Sequence, residues 1–385
     1  MKFGLFVNAV VTDGAICHYD MCRHFEKAGH TMRFYGNDFE GNRDGVTTVK
    51  ISAGEIQPVP WWKREALDMA LLYGADRFDP SILQAAREAG TKLIIESDSD
   101  GYVSIRQDPL RVLRVNMWDP SYAWRHKAGI VKAWLQELLV ESARREALLF
   151  KTFELADYIK IESEEPARLL REFLKRRNRA HLAEKVVTIP FAVRNIFVTE
   201  PVNLRREDLV IVAGRLGAQQ KNPALLERAL RRFLDASPAA HIEMHVRGDA
   251  PNLETLAASH PRVQLFKQTA SHVLCKRLAS ARVLVSASRH ESTPVQGLEA
   301  LCQGCTLVAS DDVPGYRSLI QNGAYGETYR RNSADDFASA IQRELGRWNT
   351  GMRDAKSIAD DWRNRCSLQA VTSKLLSLVE GGPAR

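Results

Sequence analysis

Short apolar runs rich in β-branched residues recur along the chain, each followed by a stretch with helical spacing. Residues 3–7, 30–35, 46–51, 69–73, 92–96, 158–162 and 186–190 have the length and content of buried parallel strands. Helical patterns fill the intervals at 15–28, 80–89, 128–153 and 165–177. After a break at 191–206 the alternation restarts, with strands at 209–213, 241–246, 282–286 and 306–309 and helices opening at Pro223, Pro294, Ser333 and Ala355. Two β/α series of this kind predict an α/β chain of two Rossmann-like parallel-sheet domains. The expected bounds are 1–190 and 207–365, a linker at 191–206, and a last helix at 366–385 that crosses back to the first domain. Trp61 and Trp62, followed by Lys63 and Arg64, fall between elements. Such rings suit stacking on a sugar, a membrane interface, or the core.

The stretch from Arg289 to Glu299 carries the most chemistry. Thr293 offers an N-cap oxygen, Pro294 suits the first helical position, and Gly304 suits the stop. Glu291 then lies in a loop and Glu299 on the helix. A helix N-terminus favours phosphate, because free N–H groups and the helix dipole both attract an anion. A carboxylate beside it cannot hold phosphate but accepts hydrogen bonds from sugar hydroxyls. The expected site is a nucleotide-sugar site, with phosphate near Ser292, Thr293, Pro294 and Val295 and hydroxyls on Glu291 and Glu299. Upstream, Gly214-Arg215 ends a strand and Lys221-Asn222-Pro223 opens the next helix. A cation on either side of a tight loop suits a diphosphate.

Glu291 and Glu299, followed by Ala300-Leu301, Gly304, Leu307-Val308 and Gly315, resemble the donor-site signature of retaining GT-B glycosyltransferases of family 4, the group 1 enzymes. Gly214-Arg215 with Lys221-Asn222 resembles that family's second signature. The resemblance is strong from 210 to 319 and diffuse before 190. It implies the GT-B arrangement, two domains facing across a cleft, with donor in the C-terminal one and acceptor in the N-terminal one. It places Glu291 on the transferred sugar, Glu299 on the ribose, and Arg215 and Lys221 on the phosphates. Gly248 follows the strand that lies near the base, and Ser288 keeps the serine of a Pro-Ser pair whose proline is Ala287 here. Of the Gly-Gly pair usual in the first loop only Gly14 remains, as a diphosphate contact or as turn punctuation. Pro190-Phe191-Ala192-Val193 resembles the opening of the Pro-Asn-Gly-Val-Asp linker motif. The implied reaction is retaining transfer from a UDP- or GDP-sugar to a hydroxyl of a glycan, glycolipid or other small acceptor, with no cofactor and no metal.

The acceptor side rests on less. Asp98-Ser99-Asp100 follows a parallel strand, where open α/β sheets bind ligands. Its D-x-D form binds metal in the GT-A fold, but Asp98 and Asp100 suit an acceptor hydroxyl better, with Trp61 and Trp62 as further candidates. Related enzymes place a histidine near this strand end, and no histidine occurs there in the sequence. Asp98 joins Glu291, Arg215 and Lys221 as the catalytic set.

Composition narrows the partners. A net charge of +7 over 385 residues fits an anionic donor, a phosphorylated acceptor or a membrane surface. The basic cluster from Arg168 to Arg179 suits anionic lipid or a solvated helix face. Nucleic acid is disfavoured, since no binding signature accompanies the charge. The absence of G-x-G-x-x-G disfavours a nicotinamide oxidoreductase. Cys302 and Cys305 form the one C-x-x-C pair among 6 cysteines, without partners for zinc. With no signal peptide and no membrane span, the expected location is the cytoplasm or the inner membrane face. The alternatives are a nucleotide-sugar epimerase, a non-catalytic sugar-nucleotide-binding protein and a DNA-modifying transferase.

Overall fold

The computed structural model describes residues 1–7, 16–36, 41–43, 45–74, 78–111, 113 and 123–381, so the loop holding Gly14 lies outside the described residues. The chain divides into two compact units, Met1–Pro190 with Val371–Arg385, and Phe191–Ala370.

In the first unit the strands are β1 (Lys2–Val7), β2 (Thr31–Gly36), β3 (Gly41–Arg43), β4 (Val46–Lys50), β5 (Met69–Tyr73), β6 (Lys92–Glu96), β7 (Tyr158–Ile161) and β8 (Val186–Thr188). They form one sheet in the order β3-β4-β2-β1-β5-β6-β7-β8, parallel except where β3 meets β4. Central strands read as unbroken apolar runs because helices cover both faces, and Phe3, Leu5 and Phe6 are fully buried. The helical stretch expected at 128–153 is three consecutive pieces: Trp124–Gln136, a π-helical turn at Glu137–Glu141, and Ser142–Leu155.

The second unit has β9 (Glu207–Gly214), β10 (His241–Val246), β11 (Val263–Lys267), β12 (Ala281–Val285), β13 (Thr306–Ser310) and β14 (Gly326–Tyr329). All pair in parallel, in the order β11-β10-β9-β12-β13-β14. The edge strands β11 and β14 go beyond the sequence reading. Each is short and partly exposed, so neither shows the apolar run of a central strand. The strand order reverses between β9 and β12, and open α/β sheets bind ligands at the carboxyl ends of the strands at such a point. Cys302 and Cys305 sit in this unit's core, where burial pushes the Cys305 thiol up to about 12. Among the described residues no helix is long and apolar enough to cross a membrane.

Trp61 and Trp62 do not fall between elements but lie on the helix Val59–Glu65. Both are buried, Trp62 completely, and its Nε1 donates to the Ile56 carbonyl at 2.6 Å. Phe6, Trp61 and Trp62 pack with ring centroids 5.0–6.2 Å apart. The pair is core, and neither ring offers a free face for a sugar. Trp62→Ala should therefore lower the unfolding free energy of the full chain by about 3–5 kcal/mol in denaturant titration. A loss below about 1 kcal/mol would contradict this placement.

Candidate donor site and a buried charge cluster

The strand order makes β9 and β12 neighbours, so the loops leaving their carboxyl ends must meet. Gly214 closes β9 with φ of 128°, a conformation that favours glycine, and Arg215 follows, exposed. A short turn at Gln219–Lys221 ends in Asn222, whose φ of 51° is left-handed, a conformation asparagine tolerates. Pro223 then opens the helix Pro223–Ala236.

The loop after β12 is knitted to that turn. The Arg289 amide donates to the Gln220 carbonyl at 2.8 Å. Gln220 Nε2 donates to the His290 carbonyl at 2.9 Å and to Glu291 Oε2 at 3.3 Å. Arg289 Nη2 donates to Asn222 Oδ1 at 3.2 Å. These bonds set Lys221 directly against Glu291, and Lys221 Nζ donates to Glu291 Oε1. Glu291 is buried, and burying a carboxylate is costly without a partner such as Lys221 or a hydrogen-bond donor such as Gln220.

The helix Val295–Cys302 starts one residue later than expected. Pro294 takes the cap position and makes no side-chain cap bond of its own, and the Thr293 carbonyl accepts from the Val295 amide at 2.9 Å. Gly315 explains how the preceding loop stays close to the next helix. A Cβ there would come within 3.0 Å of the Glu291 and Ser292 carbonyls and 3.1 Å of Pro294 Cδ. Ser292, Thr293 and Val295 are half-buried. Ser288 is buried and accepts from Ser286 Oγ at 3.0 Å, and Lys221, Ser286, Ser288, Gln296 and Tyr316 line one small cavity. Gly248 turns the chain after β10, where the Arg247 amide donates to Gly214 O at 2.9 Å.

Glu299 lies one turn into the same helix and is 2% exposed. Its partner is Arg194, which the sequence reading missed. Arg194 Nε and Nη2 both donate to Glu299 Oε1, at 2.9 and 2.6 Å. Burial lifts the Glu299 carboxyl above its ordinary range, while Arg194 pulls it down. The available signal was positional: Arg194 stands where the linker motif that opens at Pro190 carries aspartate.

In the first unit, Asp98 and Asp100 part ways. Asp98 is exposed. Asp100 is held by its own loop, accepting from Arg111 Nη2 at 2.6 Å and from the Tyr102 amide at 3.2 Å, with the Arg111 guanidinium 4.1 Å above the Tyr102 ring. Its carboxylate anchors the loop rather than reaching for an acceptor. The basic cluster is likewise engaged. Arg168 pairs with Glu165 at 2.8 Å, Arg177 with Glu146 at 3.0 Å and Arg179 with Glu154 at 3.6 Å.

Next to Asp98 the structure assembles charges that no local pattern announced. Lys160 Nζ lies 2.7 Å from Glu96 Oε1 and 3.6 Å from Glu162 Oε1, all three buried at the carboxyl ends of β6 and β7. A histidine does reach this strand end: His18, from the helix Ile16–Lys27, has its ring 5.4 Å from that of Tyr73. Burial lowers the His18 pKa against the pull of Glu96. Burial, opposed by Lys160 and reinforced by Glu96, holds Glu162 well above the ordinary carboxyl range.

Three comparisons bear on this geometry. Residues 207–346 match the family model described as Glycosyl transferases group 1. The lipopolysaccharide 1,6-galactosyltransferase of Salmonella typhimurium is 24% identical over 169 residues, which are 42% of this chain and 45% of that protein. The chain thus matches less than half the length of that curated relative. Among solved structures, the lipopolysaccharide outer core galactosyltransferase WaaB in its apo form superposes with a TM-score of 0.62 at 16% identity, covering 99% of both chains. Anabaena HepE in complex with UDP gives 0.64 at 11% identity, again covering 99% of both.

Glu162 supplies a pH test. A carboxyl whose folded pKa is raised binds its proton more tightly in the folded state, so its contribution is complete below the unfolded value of about 4.5 and is lost as pH rises through the folded value. Glu162→Gln removes that loss. Stability of the variant relative to the parent chain should rise with pH from about 4.5 upward, read as unfolding midpoints across a pH series. A difference that is flat or falls with pH would show that Glu162 is not the group holding the extra proton. The strand order of the two sheets and the full-length superpositions agree that the chain has the GT-B fold, and residues 207–346 of its second unit match the model of the group 1 glycosyl transferases.

Proposed function

We propose that the chain is a retaining glycosyltransferase that moves a sugar from a nucleoside diphosphate sugar to an acceptor hydroxyl. The observation that carries this reading is the Lys221–Glu291 pair in the loop that leads into the helix Val295–Cys302. Without donor, Lys221 neutralises Glu291. A diphosphate arriving at the helix end competes for that cation, and Arg215, which makes no ion pair among the described residues, adds a second. Once Lys221 turns to phosphate, Glu291 is free to accept hydrogen bonds from the hydroxyls of the sugar.

The chemistry then follows from where charge grows. As the bond from the sugar to the diphosphate breaks, negative charge develops on the leaving phosphate, next to Lys221, Arg215 and the helix end. A phosphate oxygen of the donor takes the acceptor's proton on the face the diphosphate leaves, so the anomeric configuration is kept. Two cations and a helix end neutralise the diphosphate, so the reaction as proposed needs no divalent metal. Asp98, exposed beside the His18–Tyr73 cluster, is the first-unit residue assigned to the acceptor. HepE, solved with UDP, and the galactosyltransferase relative favour UDP and a hexose as the first donor to try. A glycan or glycolipid hydroxyl is the favoured acceptor class.

The test is turnover with a series of UDP-, GDP-, ADP- and dTDP-sugars in the presence and absence of EDTA, with the product anomer read by NMR. One nucleotide should support transfer with retention, EDTA should leave the rate unchanged, and Lys221→Ala should lower kcat on the order of a hundredfold. Binding of no donor would overturn the reading. An inverted product would overturn the mechanism, and loss of turnover in EDTA with recovery in manganese would overturn the metal-free step.

A further inference from the structure

We propose that Arg194 is a positioning residue that presents one oxygen of Glu299 to the ribose of the donor, making the site selective for ribonucleotides over 2′-deoxyribonucleotides. This rests on the donor-site reading given above and adds a residue and a specificity to it.

A guanidinium usually spans a carboxylate, one N–H to each oxygen. Here both donors of Arg194 converge on Oε1, leaving Oε2 without a bond from Arg194. Arg194 is itself fixed from other sides. Its Nη1 donates to Ser271 Oγ at the start of the helix Ser271–Ser280, and its guanidinium lies 4.8 Å above the Phe197 ring. The backbone beneath it is pinned where the Val193 amide donates to the Cys366 carbonyl at 2.9 Å. Arg194 therefore cannot swing to share its donors between the two oxygens without leaving Ser271 and Phe197.

Two consequences follow for Glu299. At 2% exposure an unpaired carboxylate would take up a proton, and Arg194 supplies the charge that opposes this. With Oε1 saturated, the acceptor that remains is Oε2, suited to the 2′- and 3′-hydroxyls of a ribose. A site built to accept a hydrogen bond from a hydroxyl discriminates strongly against the analogue that lacks it, because its buried acceptor is then left unpaired. Lysine cannot reproduce the arrangement, since a point charge on a flexible stem has neither the fork nor the stacking plane.

The experiment is calorimetric titration of UDP and 2′-deoxy-UDP into the full chain and into Arg194→Gln, Arg194→Lys and Glu299→Gln, with thermal unfolding of each. The parent chain should prefer UDP by at least about tenfold. That ratio should collapse toward one in Arg194→Gln and in Glu299→Gln, and fall in Arg194→Lys, while the affinity for 2′-deoxy-UDP changes little. A preserved ratio in both Arg194 variants, whatever their melting temperatures, overturns the positioning role and leaves the donor-site reading standing. Should Arg194→Gln fail to fold, Arg194→Lys alone decides in the same way. A parent chain that binds UDP without preferring it over the deoxy form overturns the inference while keeping the phosphate site. A parent chain that binds none of the nucleoside diphosphates, UDP, GDP and ADP included, removes the donor-site reading and this inference with it.

Discussion

A carboxylate taken out of water needs a cation, and the second unit meets that requirement twice within nine residues of chain, Glu291 to Glu299. Glu291 is held by Lys221 and Glu299 by Arg194, and each cation comes from a segment distant in sequence. The loops around them are shaped by this pairing. The left-handed Asn222, the bonds from Gln220 to the Glu291 loop and the missing Cβ of Gly315 all bring a cation or a backbone close to one carboxylate. An ion pair of this kind contributes little net stability, because desolvation offsets most of the attraction. In the proposed chemistry the Lys221–Glu291 pair is the exchangeable one, since an incoming anion can take Lys221 and release the carboxylate, whereas Arg194 is fixed by Ser271 and Phe197.

The first unit solves the same problem differently. Glu96, Lys160 and Glu162 form a closed cluster of two carboxylates and one ammonium, so one carboxyl is pushed toward its neutral form. Direct pairs of this sort hold strand ends in register, because Lys160 stands opposite Glu96 in the β6–β7 ladder. The exposed Asp98 and the half-buried His18 and Tyr73 sit at the edge of this cluster.

Much of this was legible in the sequence, for reasons that differ from element to element. Buried parallel strands announce themselves because both faces are apolar, so β1, β5, β9, β12 and β13 stood out, whereas β11 and β14 at the sheet edges did not. Gly214, Arg215, Lys221, Glu291 and Glu299 could be singled out because loop chemistry and their spacing are local. Arg194 on Glu299 and His18 beside Tyr73 could not, since each contact joins residues that only the tertiary fold brings together. Trp61 and Trp62 were ambiguous because an aromatic pair beside basic residues reads the same whether its helix buries it or not. The π-helical turn at Glu137–Glu141 inserts a residue into an otherwise regular helical pattern, which periodicity alone cannot place.

The most direct measurement is a crystal structure of the chain with the nucleoside diphosphate it binds. Expected is the diphosphate at the start of the helix Val295–Cys302, Lys221 turned from Glu291 to a phosphate oxygen, and the ribose hydroxyls on Glu299 with Arg194 unmoved. A nucleotide bound away from the junction of β9 and β12, or a Lys221–Glu291 pair left intact beneath a bound diphosphate, would contradict the exchange on which the proposed chemistry depends.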